Sequence, residues 1–397
     1  MKFLRKILDA QKPNFEKGGK LERFHPIFEA LETFAFAPNH TAPKNGAQIR
    51  DAIDLKRLMM TVVIAMIPCL LFGIWNVGEQ HFLATQQTAT FMEKIMVGLW
   101  ITLPLILISY TVGGLVELFF AVRKGHAVNE GFLVTGMLIP LIMPPTIPWW
   151  QIAVATAFAI VVGKEVFGGT GMNILNVAMT ARAFLYFAYP VNMAGGSDVW
   201  VYTAGQKINT DAYSGATALS IAADPNVKDA VASFGDFFSF QNLFIGNIPG
   251  SIGETSTLMV LIGAIILIVT GVGSWKIIVS GFLGAYLMGL LFNILPNDNN
   301  AFMALPAHYH LVMGGLAFGI VFMATDPVSA SQTEFGKWIY GFLIGALTVL
   351  IRVFNPAYPE GIMLAVLLMN VFAPLIDYFV VEANKQRRLK RLKLKAA

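Results

Sequence analysis

Charge is what this 397-residue chain has least of. Asp, Glu, Lys and Arg together make up 13%, against 56% hydrophobic residues and a mean hydropathy of +0.63. A soluble surface needs about a quarter charged residues over the whole chain, so a soluble globular protein is excluded. Cysteine is nearly absent: Cys69 is the only one. No disulfide closes within the chain, and an iron–sulfur cluster, which takes about four thiolates, cannot be built from this chain alone. Histidine shows no metal spacing, since His308 and His310 are the one close pair and a polar loop accounts for them. No predicted strand leads into a glycine-rich phosphate loop, so NADH binding is not expected here. No early apolar core marks a cleavable signal peptide, and no nucleic-acid partner is expected. Any redox chemistry must therefore use an organic carrier such as flavin or quinone, or borrow from partners.

What the chain does have is apolar length. Candidate spans fall at 58–77, 92–122, 130–143, 149–167, 173–189, 256–274, 276–295, 311–325, 338–351 and 361–381, many of them near the roughly 20 residues that cross a bilayer as a helix. No alternating barrel pattern appears, and backbone groups in lipid must be bonded internally, so the spans are helices. The expected fold class is an all-α polytopic membrane protein with ten transmembrane helices, five on each side of a loop at 190–255. Charge supports the topology. Residues 1–57 carry eleven Lys/Arg against seven Asp/Glu, with amphipathic patches at Phe24, Ile27, Phe28 and Leu31. Arg123, Lys124, Lys276 and the seven Lys/Arg of 382–397 also fall where cytoplasmic loops belong, while 190–255 holds two Lys and six acids. Both termini are expected inside and the central loop outside. Arg352 is the exception, at the outer end of the ninth span.

The halves, 58–189 and 256–381, resemble each other weakly. Leu133 to Phe167 runs span, proline break, Trp-led span; Leu316 to Phe354 repeats that order around Asp326-Pro327 and Lys337-Trp338. A five-span unit reverses its orientation when repeated, which predicts two inverted five-helix repeats. The third and eighth spans are short and interrupted by Pro140, Pro144-Pro145 and Pro327, the pattern that points to a site near the membrane midplane.

Four stretches offer chemistry. In Asp211-Ala-Tyr-Ser-Gly-Ala-Thr-Ala-Leu-Ser220, the small residues Ser214, Gly215 and Ala216 leave the Thr217 hydroxyl open to a bulky group. An ordinary Ser/Thr turn explains the same residues. Gly168-Gly-Thr-Gly-Met-Asn-Ile-Leu-Asn176 combines close backbone approach with the Asn173 and Asn176 amides, which suit a planar heterocycle or simply cap a helix. Gly113 and Gly114 thin the second span beside Glu117, giving a helix-packing notch or room for a flat lipophilic ligand. Glu117, Asp326 and Asp377 are costly intramembrane acids, suited to a hard cation path or to structural pairing with Arg182, Lys164 or a neighbouring subunit.

Several longer stretches carry a resemblance: Lys164-Glu-Val-Phe-Gly-Gly-Thr-Gly171, Asn129-Glu-Gly131, Gly246-Asn-Ile-Pro-Gly-Ser-Ile-Gly-Glu254, Ala324-Thr-Asp-Pro-Val-Ser-Ala330 and Asn355-Pro-Ala-Tyr-Pro-Glu-Gly361. Together they resemble the NqrB/RnfD family, and within it the membrane-embedded NqrB component of the sodium-translocating NADH:quinone oxidoreductases, from Gly18 to the basic tail. Ser214-Gly-Ala-Thr217 is similar to that family's flavinylation motif. The resemblance implies FMN joined through its phosphate to Thr217 by a separate flavin transferase, and a noncovalent riboflavin near Asn173 and Asn176. It further implies a quinone region at Gly113, Gly114 and Glu117, sodium movement involving Glu117, Asp326 and Asp377, and a six-subunit complex in a bacterial inner membrane. Two positions depart from the family pattern: Met172 stands in place of an Arg and Val177 in place of a Pro, both beside the expected riboflavin contacts.

The expected function is a flavin-carrying subunit that passes electrons to quinone, coupled to outward sodium transport. Two other readings fit parts of the chain: the RnfD component of an Rnf-type ferredoxin:NAD oxidoreductase, and a non-redox inverted-repeat transporter. Phe234, Phe237, Phe238, Phe240 and Phe244 make the central loop too aromatic for a free linker, so it is expected to be buried against another subunit or the flavin.

Overall fold

The computed structural model of the chain describes residues 2–16, 18–25, 28–29, 32, 36, 55–124, 131–194, 197–205, 215–295 and 300–396. Ser214, Ile27, Leu31 and Asn129 lie outside the described residues. No β-strand occurs among the described residues. After an N-terminal helix α1 (Lys2–Phe15), the principal helices are α2 (Leu55–Thr85), α3 (Phe91–Lys124), α4 (Phe132–Leu141), α5 (Trp149–Ile160) and α6 (Val177–Ala188). They continue as α7 (Ala218–Ala223), α8 (Thr257–Val269), α9 (Trp275–Ile294), α10 (Tyr309–Val312), α11 (Glu334–Phe354) and α12 (Ile362–Ala396).

Five helices, α2, α3, α9, α11 and α12, are long and apolar enough to cross a membrane, and α4, α6 and α8 are shorter apolar helices. The chain is a multi-pass membrane protein by this measure. The expected fourth span is α5 running directly into a π-helical turn at Val161–Glu165. The expected eighth span is broken further: α10 ends at Val312, and the helix restarts at Leu316–Phe318 before a second π turn at Gly319–Met323. Single π turns inside helices concentrate at functional sites.

Glycine brings the long helices together, which suits a bilayer, where lipid is as apolar as leucine and only close packing favours association. A Cβ on Gly345 of α11 would fall on the Gly281 carbonyl oxygen of α9, and one on Gly284 of α9 on the Phe342 carbonyl oxygen. The α2–α3 pair is built likewise, with Gly98 against the Ile74 carbonyl and Gly78 against that of Lys94.

Broken helices leave carbonyls without intrahelical partners, and these must be satisfied inside the protein. After α4, the carbonyls of Leu141 and Met143 accept from the Gly253 and Ile252 amides at 2.7 and 3.2 Å. At the second break, Arg352 donates to the carbonyls of His310 and Met313, both at 2.7 Å, and through Nε to the Glu360 carbonyl at 3.1 Å. Arg352 is fully buried, which resolves its poor fit to the charge topology: it completes a broken helix and does not face water.

The last part of the 190–255 interval, running on to Ser256, is an irregular segment of turns and bends buried against α2, where Asn76 donates to the Ile248 carbonyl at 2.9 Å and Gln80 to Asn247 at 3.0 Å. Part of the phenylalanine cluster packs within the chain, while Phe240 stays 40% exposed. Phe234 and Phe238 are buried within this chain, Phe234 tilted on Tyr309 at 6.0 Å, and Phe240 packs edge-on to His308 and Tyr309. These rings tie the loop to its own second half.

Candidate functional site

Two cavities lie at opposite ends of α6. The larger, of about 370 Å³, is bounded by α6, α7, the buried segment at 248–255 and the turn at 356–360. Thr217 stands on its wall. The residue is the N-cap of α7, where its Oγ1 accepts from the Ser220 amide at 3.2 Å while Ser220 Oγ accepts from the Thr217 amide at 3.0 Å. This reciprocal cap fixes the hydroxyl at the helix start. Gly215 precedes it with φ +61°, a left-handed conformation that costs glycine little, while Ala216 and Thr217 are half-buried. Thr217 thus lines a cavity as the cap of a helix instead of lying along an ordinary loop.

The floor of this cavity is charged. Arg182, in the middle of α6, donates from Nη1 to both Glu254 carboxylate oxygens at 2.8 Å and from Nη2 to Glu360 at 2.5 Å. Ser251 Oγ lies 3.5 Å from Nη2. One guanidinium between two carboxylates, buried and facing a cavity, is an arrangement that the five donors of Arg serve better than the point charge of Lys. Tyr186, one turn further along α6, also lines the cavity and donates to the Ala357 carbonyl at 2.8 Å.

The smaller cavity, of about 90 Å³, gathers residues to which the sequence assigns separate roles: Asn173 and Asn176, Lys164 of the first π turn, and Thr325, Asp326 and Pro327 after the second. Asn176 caps α6, its side-chain oxygen accepting from the Met179 amide at 3.1 Å, and Asn173 donates to the Leu175 carbonyl at 3.0 Å. Thr170 Oγ1 is buried at this cavity with no hydrogen-bond partner among the described residues. Pockets for flavin-sized ligands run from about 300 Å³ upward. At about 90 Å³ this cavity falls below that range, although its donors and acceptors suit a planar heterocycle. Met172 and Ile174 beside it are exposed.

The three membrane acids have different settings. Glu117 is buried and paired with Lys164, also buried. Lys124 bonds Glu165 at 2.9 Å at the same end of α3. Asp326 accepts from Ser329 Oγ at 2.7 Å and the Val328 amide at 3.3 Å, and faces the small cavity. Asp377, on α12, accepts from Ser331 Oγ at 2.6 Å, the Gln332 amide at 2.7 Å and both the amide and hydroxyl of Thr333, at 2.9 and 2.6 Å. It pins the turn that starts α11. The two glycines also differ. A Cβ on Gly113 would strike the Phe132 ring and lie 2.7 Å from Ile160, whereas one on Gly114 would be 3.7 Å from Phe132. The notch at Gly113 is filled by the protein itself.

Sequence reasoning placed Arg182 only as a partner for Glu117, Asp326 or Asp377. Its partners are Glu254 and Glu360, 72 and 178 positions away. The signal for them was that both glutamates lie at the ends of motif stretches singled out on other grounds, Glu254 last in one and Glu360 next to last in the other.

Comparison with known proteins gives a consistent result. The description "NQR2, RnfD, RnfE family" matches residues 43–386. The B-type subunit of the Na(+)-translocating NADH-quinone reductase of Chromohalobacter salexigens is 46% identical over 409 residues, covering 98% of this chain and 96% of that protein. Its counterparts of the same name in Ectopseudomonas mendocina and Azotobacter vinelandii are 46% and 45% identical over 411 residues, each covering 98% of this chain and 99% of the relative.

Proposed function

The chain belongs to the NQR2, RnfD, RnfE family, and from that premise we propose that it is the flavin-carrying NqrB-type membrane component of a sodium-translocating NADH:quinone oxidoreductase. It passes electrons toward a membrane quinone, coupled to outward sodium transport, within a six-subunit complex of the bacterial inner membrane. Ten crossings in two inverted five-helix repeats complete the architecture, the short helices α4, α6 and α8 being extended by buried irregular backbone. Residues 1–57 and 382–397 lie on the cytoplasmic side, and 190–255 on the outer side. NADH binds another subunit.

One observation carries this reading: the Thr217 hydroxyl stands on the wall of a cavity of about 370 Å³, in the size range of flavin-sized pockets. FMN attached there by a phosphoester, installed by a flavin transferase, supplies electron transfer without a thiol or a metal. Ser220 and Gly215 present the hydroxyl, while Ser251, Tyr186 and the Arg182 cluster provide polar groups and fixed charge for the ring. Riboflavin near Asn173 and Asn176 needs more room than the small cavity has, and the exposed Met172 and Ile174 mark the side on which a partner protein would enclose it. Gly114 and Glu117 remain the quinone region, with Gly113 shaping the packing behind them. Glu117, Asp326 and Asp377 serve the sodium path, Asp377 through the turn it holds.

The test is in-gel flavin fluorescence after denaturation, with peptide mass spectrometry, on wild type and Thr217→Ala produced with an active flavin transferase. A band in wild type that is absent in the variant supports the assignment. Absence from both removes it.

A further inference from the structure

One buried side chain ties together two walls of the smaller cavity, from which α6 runs on to the larger one. Asn370, on α12, is 1% exposed. Its Oδ1 accepts from the Asn176 amide at 3.0 Å, and its Nδ2 donates to the Ser329 carbonyl at 3.3 Å and to Tyr340 Oη at 2.8 Å. The orientation of the amide is fixed by partners of fixed polarity, a backbone N–H on one side and a backbone carbonyl on the other. Ser329 in turn bonds Asp326 at 2.7 Å. Asn176 is the N-cap of α6, a helix of 12 residues and about 18 Å. Further along that helix stand Arg182 and Tyr186, which line the larger cavity.

We propose that Asn370 is a positioning residue that couples the ion-side acid Asp326 to α6, and through α6 to the cavity beside Thr217, so that sodium binding and flavin reduction bias one another. This rests on the proposed function, and it names the residue through which that coupling is made. A cation drawn to Asp326 competes with the Ser329 hydroxyl for Oδ2. Releasing Ser329 changes where its carbonyl stands, and Asn370 cannot follow that carbonyl without loosening the Asn176 amide. The N-cap of α6 then shifts, and Arg182 with it. Coupling of this kind is reciprocal by thermodynamic necessity, so it must appear as a sodium-dependent flavin potential. Tenfold tighter sodium binding to the reduced state displaces a one-electron potential by about 59 mV.

The experiment is a redox titration of the purified holocomplex, followed by flavin absorbance, in NaCl and in KCl of equal ionic strength. Wild type is compared with Asn370→Ala, Ser329→Ala and Asp326→Asn, with covalent flavin content read by in-gel fluorescence. The expected result is a sodium-dependent shift in wild type that is lost in all three variants, while covalent flavin is retained. If Asp326→Asn abolishes the shift but Asn370→Ala and Ser329→Ala keep it in full, the coupling role of Asn370 is overturned and the ion assignment stands. If Asp326→Asn keeps the shift, or wild type has none, the sodium reading at Asp326 fails and the inference falls with it. Ser329→Ala leaves α12 untouched, so it decides the matter if Asn370→Ala does not assemble.

Discussion

Arg182 holds Glu254 through both carboxylate oxygens at 2.8 Å, although one residue comes from a membrane helix and the other from the end of the central loop, 72 positions away. Removing one member of a buried ion pair leaves a charge with no compensation and costs about 3–5 kcal/mol. Arg182→Leu leaves two such carboxylates, Glu254 and Glu360, and is expected to abolish accumulation of the assembled complex. Arg182→Lys keeps the charge but loses the fork, so it should assemble with a lower thermal midpoint. Thermal unfolding of the detergent-purified complex checks the order wild type, then Lys, then Leu.

Gly113 and Gly114 are adjacent in sequence but differ in what they face. Gly113→Ala pushes a methyl into the Phe132 ring and Ile160, an overpacking that costs about 1–3 kcal/mol. Gly114→Ala meets Phe132 only at 3.7 Å and should be accommodated. The expected outcome is reduced stability for Gly113→Ala, partly restored by Phe132→Leu. For Gly114→Ala the expectation is wild-type stability with a changed KM for quinone. Paired thermal and steady-state measurements separate the two.

The long helices were legible because apolar length and charge are local: 58–77 and 92–122 lie within Leu55–Thr85 and Phe91–Lys124. The breaks were visible as prolines, but not what makes them tolerable. The carbonyls of His310 and Met313 are satisfied by Arg352, and those of Leu141 and Met143 by Gly253 and Ile252, partners that only the tertiary fold brings near. The same limit hid the site. Thr217 was readable from its small neighbours, whereas the Arg182 cluster and Asn370 depend on contacts between residues far apart in sequence. Asp326 and Asn173 were each identified, yet nothing in one sequence indicates that they share a cavity.

The cap on α7 separates two roles of the Thr217 neighbourhood. Ser220→Ala removes one half of the reciprocal cap but leaves the Thr217 hydroxyl, and the Ser220 amide that it accepts from, in place. Under the proposed function this variant should retain covalent flavin. Thr217→Ser should retain it as well, and Thr217→Val, similar in volume but without the hydroxyl, should have none. Fluorescence per unit of protein on denaturing gels gives the comparison directly.

Lys164 and Glu117 pair where α3 meets the π turn after α5, with both side chains 4% exposed. Their mutual attraction is offset by the cost of taking two charges out of water, so the pair as a whole contributes little, while either charge alone is strongly destabilising. Glu117→Leu and Lys164→Leu are each expected to lower stability by about 3–5 kcal/mol, and the double variant to recover most of that loss. A double-mutant cycle on thermal stability measures the coupling. Quinone reduction in the double variant then isolates function from folding. If Glu117 serves the quinone or the sodium path by its charge, the restored protein should stay impaired. Recovery of turnover together with stability would leave the carboxylate as nothing more than the partner of Lys164.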